Sequence, residues 1–324
     1  MYKPLDKFLS CDWGTSSFRL RLIGYENLDV IVEEKNNNGI AKTFKLWQEN
    51  GANEHLRQSF YYAVINEYVE KISKQLGFSL AGIPIIVSGM LSSSIGMVDL
   101  PYKAIPVAID GSDVALTRLT IDRSDNELII ISGIRTNDDV IRGEETKAIG
   151  CASFFDDERE ERLIVFPGTH PKHVTIEKNN IIGIKTYMTG EIFGLLTTHS
   201  LLAGSIQKGF FDEDGQASFK SGVRNSLNTN LLNSVFRVRT NDILKKLPKE
   251  YNYYYLSGLL IGTELKDLLD YKQPFYLCGA GELLQYYQLA GEILGLIITQ
   301  QIDADEALLR GQKQVYAMLN YPTL

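Results

Sequence analysis

Two Gly-Thr turns, half the chain apart, constrain the fold more than any other feature of this sequence. The first lies in residues 12–17 (DWGTSS) and the second in residues 167–170 (PGTH). Each follows a short apolar segment typical of a buried strand, and each leads into another strand-like segment. Glycine permits a tight turn and close approach of a ligand, while successive backbone N–H groups with a hydroxyl form an anion-binding concavity. The pair therefore predicts a duplicated fold that binds a polyphosphate through both turns.

The order of the predicted elements supports this duplication. Three strand-like segments open each half, and further strands then alternate with helix-like segments, which favours an α/β fold with sheets covered by helices. In the second half we expect a polar, insertion-like region at 205–250, a long helix at about 250–269 and a strand at 296–298. The charged run at 156–162 is predicted to connect two domains, residues 1–158 and 159–324.

Composition restricts the classes of function. The 324 residues include 40 acidic and 33 basic side chains, and this net charge of −7 argues against bulk nucleic-acid binding. The three cysteines, Cys11, Cys151 and Cys278, lack the spacing of a disulfide framework and are expected to be reduced. Because the sequence shows no signal-peptide pattern and no apolar run of membrane-spanning length, we expect a cytoplasmic protein without nucleic-acid or membrane partners.

Three further features could carry chemistry. Asp12 ends a strand beside the first turn, where a carboxylate could hold Mg²⁺ or could be an ordinary turn aspartate. Residues 142–146 (RGEET) precede an apolar helix, and their carboxylates could deprotonate a substrate hydroxyl or simply complement the helix dipole. Residues 278–282 (CGAGE) link a strand to a helix, where small residues could admit a flat ligand or only allow close packing. The sequence contains no P-loop, so a nucleotide would be bound by another fold.

Taken together, these segments resemble the 2-dehydro-3-deoxygalactonokinase family of the sugar-kinase/Hsp70/actin superfamily. The matching blocks span nearly the whole chain and are residues 88–90 (SGM), 142–146 (RGEET), 166–170 (FPGTH), 188–191 (MTGE), 236–240 (FRVRT) and 256–262 (LSGLLIG). Some positions depart from the expected pattern. Ser92 and Met97 stand where we expect Gly and Trp, and Pro171 and His173 stand where we expect Ser and Trp.

The resemblance implies two duplicated ribonuclease-H-like domains of the actin/hexokinase type, with mixed sheets flanked by helices around an ATP cleft. It also implies ATP- and Mg²⁺-dependent phosphorylation of the C6 hydroxyl of 2-dehydro-3-deoxy-D-galactonate in D-galactonate catabolism. Two alternatives stay open: a kinase of another small sugar or sugar acid, such as 2-dehydro-3-deoxy-D-gluconate, and a non-kinase ATP-gated module of the same fold. The oligomeric state is also open, with a homodimer as one option.

Carried over by position, the resemblance assigns roles to individual residues. Asp12 would organise Mg²⁺, and Glu144 would be the catalytic base, with Glu145 as the second choice for the base and a substrate ligand. The substrate carboxylate needs a cation, which Arg135 or Arg142 could supply unless each is paired with a neighbouring acidic side chain. The other residues predicted to contact ATP or the sugar acid are Gly14, Thr15, Ser16, Gly168, Thr169, Gly279, Ala280, Gly281, Ser88 and Met90.

Overall fold

The computed structural model describes residues 6–121, 125–155 and 160–320. The chain forms two compact units: unit 1 comprises Met1–Glu160, Ile176–Ile184 and Ala304–Leu324, and unit 2 comprises Glu161–Thr175 and Lys185–Asp303. The predicted boundary between residues 158 and 159 lies outside the described residues, as does the 156–159 part of the charged run. The domain division into 1–158 and 159–324 therefore stays a prediction.

Strands and helices alternate through the described residues. In chain order the strands are β1 Lys7–Trp13, β2 Phe18–Gly24, β3 Val30–Asn36, β4 Ile85–Gly89, β5 Lys103–Ala104, β6 Val107–Ala108, β7 Leu116–Thr120, β8 Glu127–Ile131, β9 Ile134–Arg135, β10 Val140–Ile141, β11 Glu161–Phe166, β12 Lys172–Glu177, β13 Asn180–Thr186, β14 Phe275–Gly279 and β15 Ile298–Asp303. The α-helices are α1 Ile40–Glu49, α2 Arg57–Leu76, α3 Glu144–Cys151, α4 Thr189–Thr198, α5 Glu213–Asn228, α6 Leu231–Ile243, α7 Lys249–Leu265, α8 Gly281–Leu294 and α9 Ala304–Asn320. None of the helices in this part of the chain is long and apolar enough to cross a membrane.

Unit 1 is built on a mixed sheet with the strand order β3-β2-β1-β4-β8-β7. Strand β1 is antiparallel to β2 and parallel to β4, which is in turn parallel to β8. Every residue of β4 is buried, as expected for a central parallel strand whose two faces are both covered. Helix α2 packs its buried face, which includes Ile65 and Val69, against one side of this sheet. Leu309 and Val315 of α9 join the core cluster that contains Ile86 and Ile129.

Unit 2 repeats the central part of this arrangement. The order β2-β1-β4-β8 of unit 1 corresponds to the order β12-β11-β14-β15, and β14 is parallel to both β11 and β15. The first Gly-Thr turn joins β1 to β2, and the second joins β11 to β12. The two turns thus occupy equivalent places in a duplicated topology. The predicted fold class, α/β with duplicated mixed sheets flanked by helices, is confirmed.

Two expectations about unit 2 need correction. The region 205–250 is not simply polar, because α5 and α6 lie within it and Phe219 and Val223 of α5 are fully buried. Strand β15 begins at Ile298, the last residue of the predicted segment, and continues to Asp303. It lies at the edge of its sheet and is mostly exposed and polar, so an apolar run marks only its start.

Candidate active site

The first Gly-Thr turn has two backbone N–H groups that make no hydrogen bond to the described residues. The N–H of Gly14 donates to the Ser17 carbonyl (2.9 Å), which closes the turn. A Cβ atom on Gly39 would lie 2.2 Å from the Thr15 carbonyl oxygen, so only glycine lets the start of α1 reach the turn. Within the described residues, the N–H groups of Thr15 and Ser16 donate no hydrogen bond, and both side chains are exposed. The turn therefore fits an anionic ligand.

Asp12 lies next to this turn, at the end of β1. It is beside Ser88 of β4 in the parallel register and opposite Arg19 of β2. Arg19 forms ion pairs with Asp305 and Glu33 rather than with Asp12. The Asp12 carboxylate is half-buried and makes no hydrogen bond to the residues that the structure describes. Such a carboxylate fits Mg²⁺, which is commonly held by one or two carboxylates together with water and phosphate oxygens.

Two glutamates, Glu144 and Glu145, begin α3 at the same edge of the sheet. Gly143 has φ +106° and Gly89 has φ +98°, a region that favours glycine. A Cβ on Gly143 would lie 3.5 Å from the Cα of Gly89, and a Cβ on Gly89 would lie 2.7 Å from the carbonyl oxygen of Trp13. These close approaches bring Glu144, the first residue of α3, to the end of β1 that carries Asp12.

The two neighbouring glutamates lie in different environments. Glu145 is fully buried, and its carboxylate accepts hydrogen bonds from the Gly143 N–H (2.6 Å) and the Thr146 hydroxyl (3.0 Å). Burial, and then the neighbouring charge of Glu144, raise the pKa of Glu145 to about 7. Glu144 is only half-buried. The geometry therefore supports Glu144, rather than Glu145, as the carboxylate that could reach a substrate.

The two candidate arginines also differ. The Arg142 guanidinium donates to the carbonyl and the hydroxyl of Ser92 and lies over the Tyr102 ring, 4.2 Å from its centroid. Arg135 is exposed and donates to a neighbouring backbone carbonyl (3.2 Å). Among the described residues neither arginine forms an ion pair. The structure therefore does not show the alternative in which each arginine pairs with a neighbouring acidic side chain. Arg142 is held by local contacts, whereas Arg135 remains accessible.

The sequence did not predict a role for Gln312, a buried side chain of α9 that bonds to both β1 and β4. Its amide donates to the Ser88 hydroxyl (3.1 Å) and to the backbone carbonyls of Cys11 (3.3 Å) and Ile86 (3.2 Å). Nothing in the sequence distinguishes this glutamine from the others in an amphipathic helix. Ser88 is buried and Met90 is half-buried, and the substrate contacts predicted for both stay predictions.

The second Gly-Thr turn is open in the same way as the first. A Cβ on Gly168 would meet nothing within 4 Å, and Thr169 is exposed. The Thr169 carbonyl accepts a hydrogen bond from the N–H of Glu191 (3.0 Å), while a Cβ on Gly190 would lie 2.6 Å from the Gly168 carbonyl oxygen. The start of α4 therefore packs directly against this turn. Within the described residues the N–H groups of Gly168 and Thr169 donate no hydrogen bond, which leaves them available to an anion.

A cavity of about 210 Å³ lies beside the second turn, entirely within unit 2. Gly168 is part of its wall, and most of the remaining lining is aromatic or aliphatic, with polar groups at a few points; it includes Phe193, Tyr253, Ser257, Leu260, Glu282 and Tyr286. This composition fits a flat, largely apolar ligand with a few polar edges. In the tyrosine run at 251–255, Tyr254 and Tyr255 are buried, while Tyr253 is half-buried, packs beside Tyr254 and also lines the cavity.

Gly279 ends β14 and Gly281 begins α8, close to the same turn. A Cβ on Gly279 would lie 3.3 Å from Pro167 and 3.2 Å from Leu284, so close packing requires a small residue there. Gly281 has φ +63° and opens α8, and both Ala280 and Gly281 are exposed. Their neighbour Glu282 lines the cavity. The structure thus brings the predicted residues 168–169 and 279–281 together in unit 2, and it places Asp12, residues 14–16 and Glu144 around one sheet edge in unit 1.

This duplicated α/β fold, with two anion-binding turns and an acidic helix start, fits the class of sugar kinases that the sequence resembles. A family model described as 2-keto-3-deoxy-galactonokinase matches residues 12–315, and the chain belongs to that family. A relative from Rhizobium meliloti (strain 1021) that carries the name 2-dehydro-3-deoxygalactonokinase is 30% identical over 316 residues, 94% of each protein. One of the same name from Escherichia coli (strain K12) is 32% identical over 239 residues, 72% of this chain and 78% of the relative. A crystal structure under that name from Sinorhizobium meliloti has a TM-score of 0.82 and 28% identity, and covers 98% of both chains.

Proposed function

We propose that this protein is an ATP-dependent kinase that phosphorylates the C6 hydroxyl of 2-dehydro-3-deoxy-D-galactonate. Family membership and the shared name of the relatives support the substrate. The observation that carries the proposal is the cavity of unit 2, which is lined by Gly168 of the Gly-Thr turn whose N–H groups donate no hydrogen bond within the described residues. An apolar cavity for a base next to an anion-binding turn is the arrangement that a nucleoside polyphosphate requires.

Each set of site residues then has a role. The adenosine would lie in the cavity, with Ala280 and Gly281 at its edge, and the phosphates would be bound by the two Gly-Thr turns. Mg²⁺ at Asp12 would neutralise charge on the transferring phosphoryl group. The exposed guanidinium of Arg135 suits the substrate carboxylate better than that of Arg142, which is held by Ser92. The predicted cytoplasmic location and the oligomeric state stay predictions.

The proposed reaction is a direct transfer. The C6 hydroxyl oxygen forms a bond to the γ-phosphorus of ATP while the bond between that phosphorus and the β–γ bridging oxygen breaks, which releases ADP. The hydroxyl proton passes to the Glu144 carboxylate. The protein contributes positioning and charge neutralisation and forms no covalent intermediate.

The proposal is tested by measuring ADP formation from Mg-ATP with 2-dehydro-3-deoxy-D-galactonate, its gluconate epimer and a panel of neutral sugars. We expect strong preference for the galactonate compound. Glu144→Gln should lose transfer by about 10²-fold or more, the scale of a general base, and keep its affinity for Mg-ADP. Glu145→Gln is the matched control, since it removes the neighbouring carboxylate instead.

Three outcomes would contradict parts of the proposal. If only the gluconate epimer or only a neutral sugar is turned over, the protein is a kinase but its proposed substrate is wrong. ATP hydrolysis that no sugar stimulates would favour the non-kinase, ATP-gated module. Unchanged turnover in Glu144→Gln would refute the assignment of the base.

A further inference from the structure

A buried carboxylate lies directly beneath the cavity of unit 2. Glu264, near the end of α7, is 2% exposed and its oxygens accept hydrogen bonds from three side chains. The donors are the His173 Nε2 (3.0 Å), the Tyr287 hydroxyl (2.7 Å) and the Thr189 hydroxyl. A carboxylate so far from solvent is tolerated when its oxygens are hydrogen-bonded, as they are here.

The three hydrogen-bond donors are divided unequally between the two carboxylate oxygens of Glu264. His173 reaches Oε1 alone, whereas Thr189 and Tyr287 share Oε2. Burial, and then the Glu264 charge, hold the pKa of Tyr287 well above its usual range, so its hydroxyl remains a donor. The buried Nδ1 of His173 has no hydrogen-bond partner in the part of the chain that is described, so the ring is held by its Nε2 contact with Glu264.

The two donors on Oε2 are also part of the cavity wall. Thr189 and Tyr287 both line the cavity, whereas His173 does not. Thr189 is the first residue of α4, and the next residue, Gly190, packs on the carbonyl of Gly168. A single buried oxygen therefore fixes two points of the cavity wall, one of which borders the Gly-Thr turn.

We propose that Glu264 is a positioning residue for nucleotide binding, which holds Thr189 and Tyr287 in the places that shape the cavity. The inference rests on the proposed function, because it takes the cavity to be the nucleoside site. Without the Oε2 acceptor, Thr189 and Tyr287 would each need another partner, and their side chains would move relative to the base. Glu264 itself would not touch the nucleotide.

The test compares two replacements of Glu264. Glu264→Gln can keep an oxygen toward Thr189 and Tyr287 and turn its amide N–H toward His173, which becomes the acceptor by changing tautomer. Glu264→Met has similar volume and offers no acceptor of this kind. By isothermal titration calorimetry with Mg-ADP, we expect Glu264→Gln to bind within about threefold of the unmodified protein and Glu264→Met at least about tenfold more weakly. In turnover assays the KM for ATP should rise in Glu264→Met, while the KM for the sugar acid should not.

Two milder variants keep the test decisive if Glu264→Met does not fold. Tyr287→Phe keeps the ring in the wall, and Thr189→Val keeps the branched shape, but each loses the hydroxyl that reaches Glu264. Each should weaken Mg-ADP binding by about threefold or more. Asp267→Asn is the matched control, because that exposed carboxylate contacts Lys185 and Tyr187 away from the cavity and should leave binding unchanged.

The outcomes separate this inference from the proposed function. If the unmodified protein binds Mg-ADP, and the folded Glu264 and Tyr287 variants bind it equally well, the positioning role is overturned and the kinase proposal stands. If the unmodified protein does not bind Mg-ADP, the proposed function fails and this inference fails with it. Binding of Mg-ADP that is retained in Glu264→Gln but weakened in Glu264→Met would establish that the cavity requires a hydrogen-bond acceptor at this position.

Discussion

Gly150 of α3 and Gly311 of α9 face each other across a helix crossing at which the two backbones are in contact. A Cβ atom on Gly150 would lie 1.8 Å from the Ala307 carbonyl oxygen and 2.7 Å from the Gly311 nitrogen. A Cβ on Gly311 would lie 1.8 Å from the Thr146 carbonyl oxygen. Because α3 begins with the acidic pair, this crossing fixes the helix that presents Glu144.

Gly311→Ala should therefore destabilise the protein substantially. The added methyl group has no space unless the helices separate, and overpacking of this kind costs on the order of 3 kcal/mol. The free energy of unfolding, measured by urea denaturation followed by circular dichroism, tests this. Gly194→Ala in α4 is the matched control, since a Cβ there would meet nothing within 4 Å and alanine is the better helix former. Equal stability of Gly311→Ala and the unmodified protein would show that the crossing is less tight than described.

The sequence predicts the duplication of this fold, because each Gly-Thr turn and its flanking apolar strands are local patterns. It does not predict the α3–α9 crossing, since Gly150 and Gly311 are far apart in the chain and each looks like an ordinary helix glycine. The same holds for the cavity, whose aromatic side chains come from separate helices. Phe193 and Tyr253, for example, meet at 5.0 Å between ring centroids only in the folded unit. Spacing also cannot separate Glu144 from Glu145, which differ in burial.

Glu145 should make stability depend on pH. Its pKa is raised in the folded protein from 4.5 to about 7, so between these values the folded state holds a proton that the unfolded state has released. Stability should therefore fall as pH rises from about 4.5 to about 7 and level off above, a contribution of about 3 kcal/mol.

Glu145→Gln removes this titration while keeping an oxygen for the Gly143 N–H and a polar group beside Thr146. We expect its unfolding free energy to be less dependent on pH across that window. Urea denaturation at a series of pH values compares it with the unmodified protein and with Glu177→Gln, in which an exposed carboxylate is lost. A pH profile of Glu145→Gln that matches the unmodified protein would contradict the raised pKa.

Tyr253 should contribute to nucleotide binding through its ring. It lines the cavity of unit 2, where a base placed against an aromatic face gains contact area. Tyr253→Ala is expected to raise the KM for ATP about tenfold, which corresponds to ~1.4 kcal/mol, with little change in the KM for the sugar acid. Tyr251→Ala is the control, because Tyr251 lies two residues away and contacts Asp212 outside the cavity. Similar KM values for ATP in both variants would argue against this cavity as the nucleoside site.

Asp12 should govern the dependence of turnover on Mg²⁺. Within the described residues its carboxylate makes no hydrogen bond, and it precedes the turn whose Thr15 and Ser16 N–H groups donate none either. Asp12→Asn keeps the shape and an oxygen but removes the charge that holds a hard cation, so half-maximal activity should require a much higher Mg²⁺ concentration. Asp305→Asn separates this effect from a general change of local charge, because Asp305 pairs with Arg19 on the neighbouring strand. If Asp12→Asn and the unmodified protein respond identically to a Mg²⁺ titration at saturating ATP, Asp12 is a turn residue and the ion is held elsewhere.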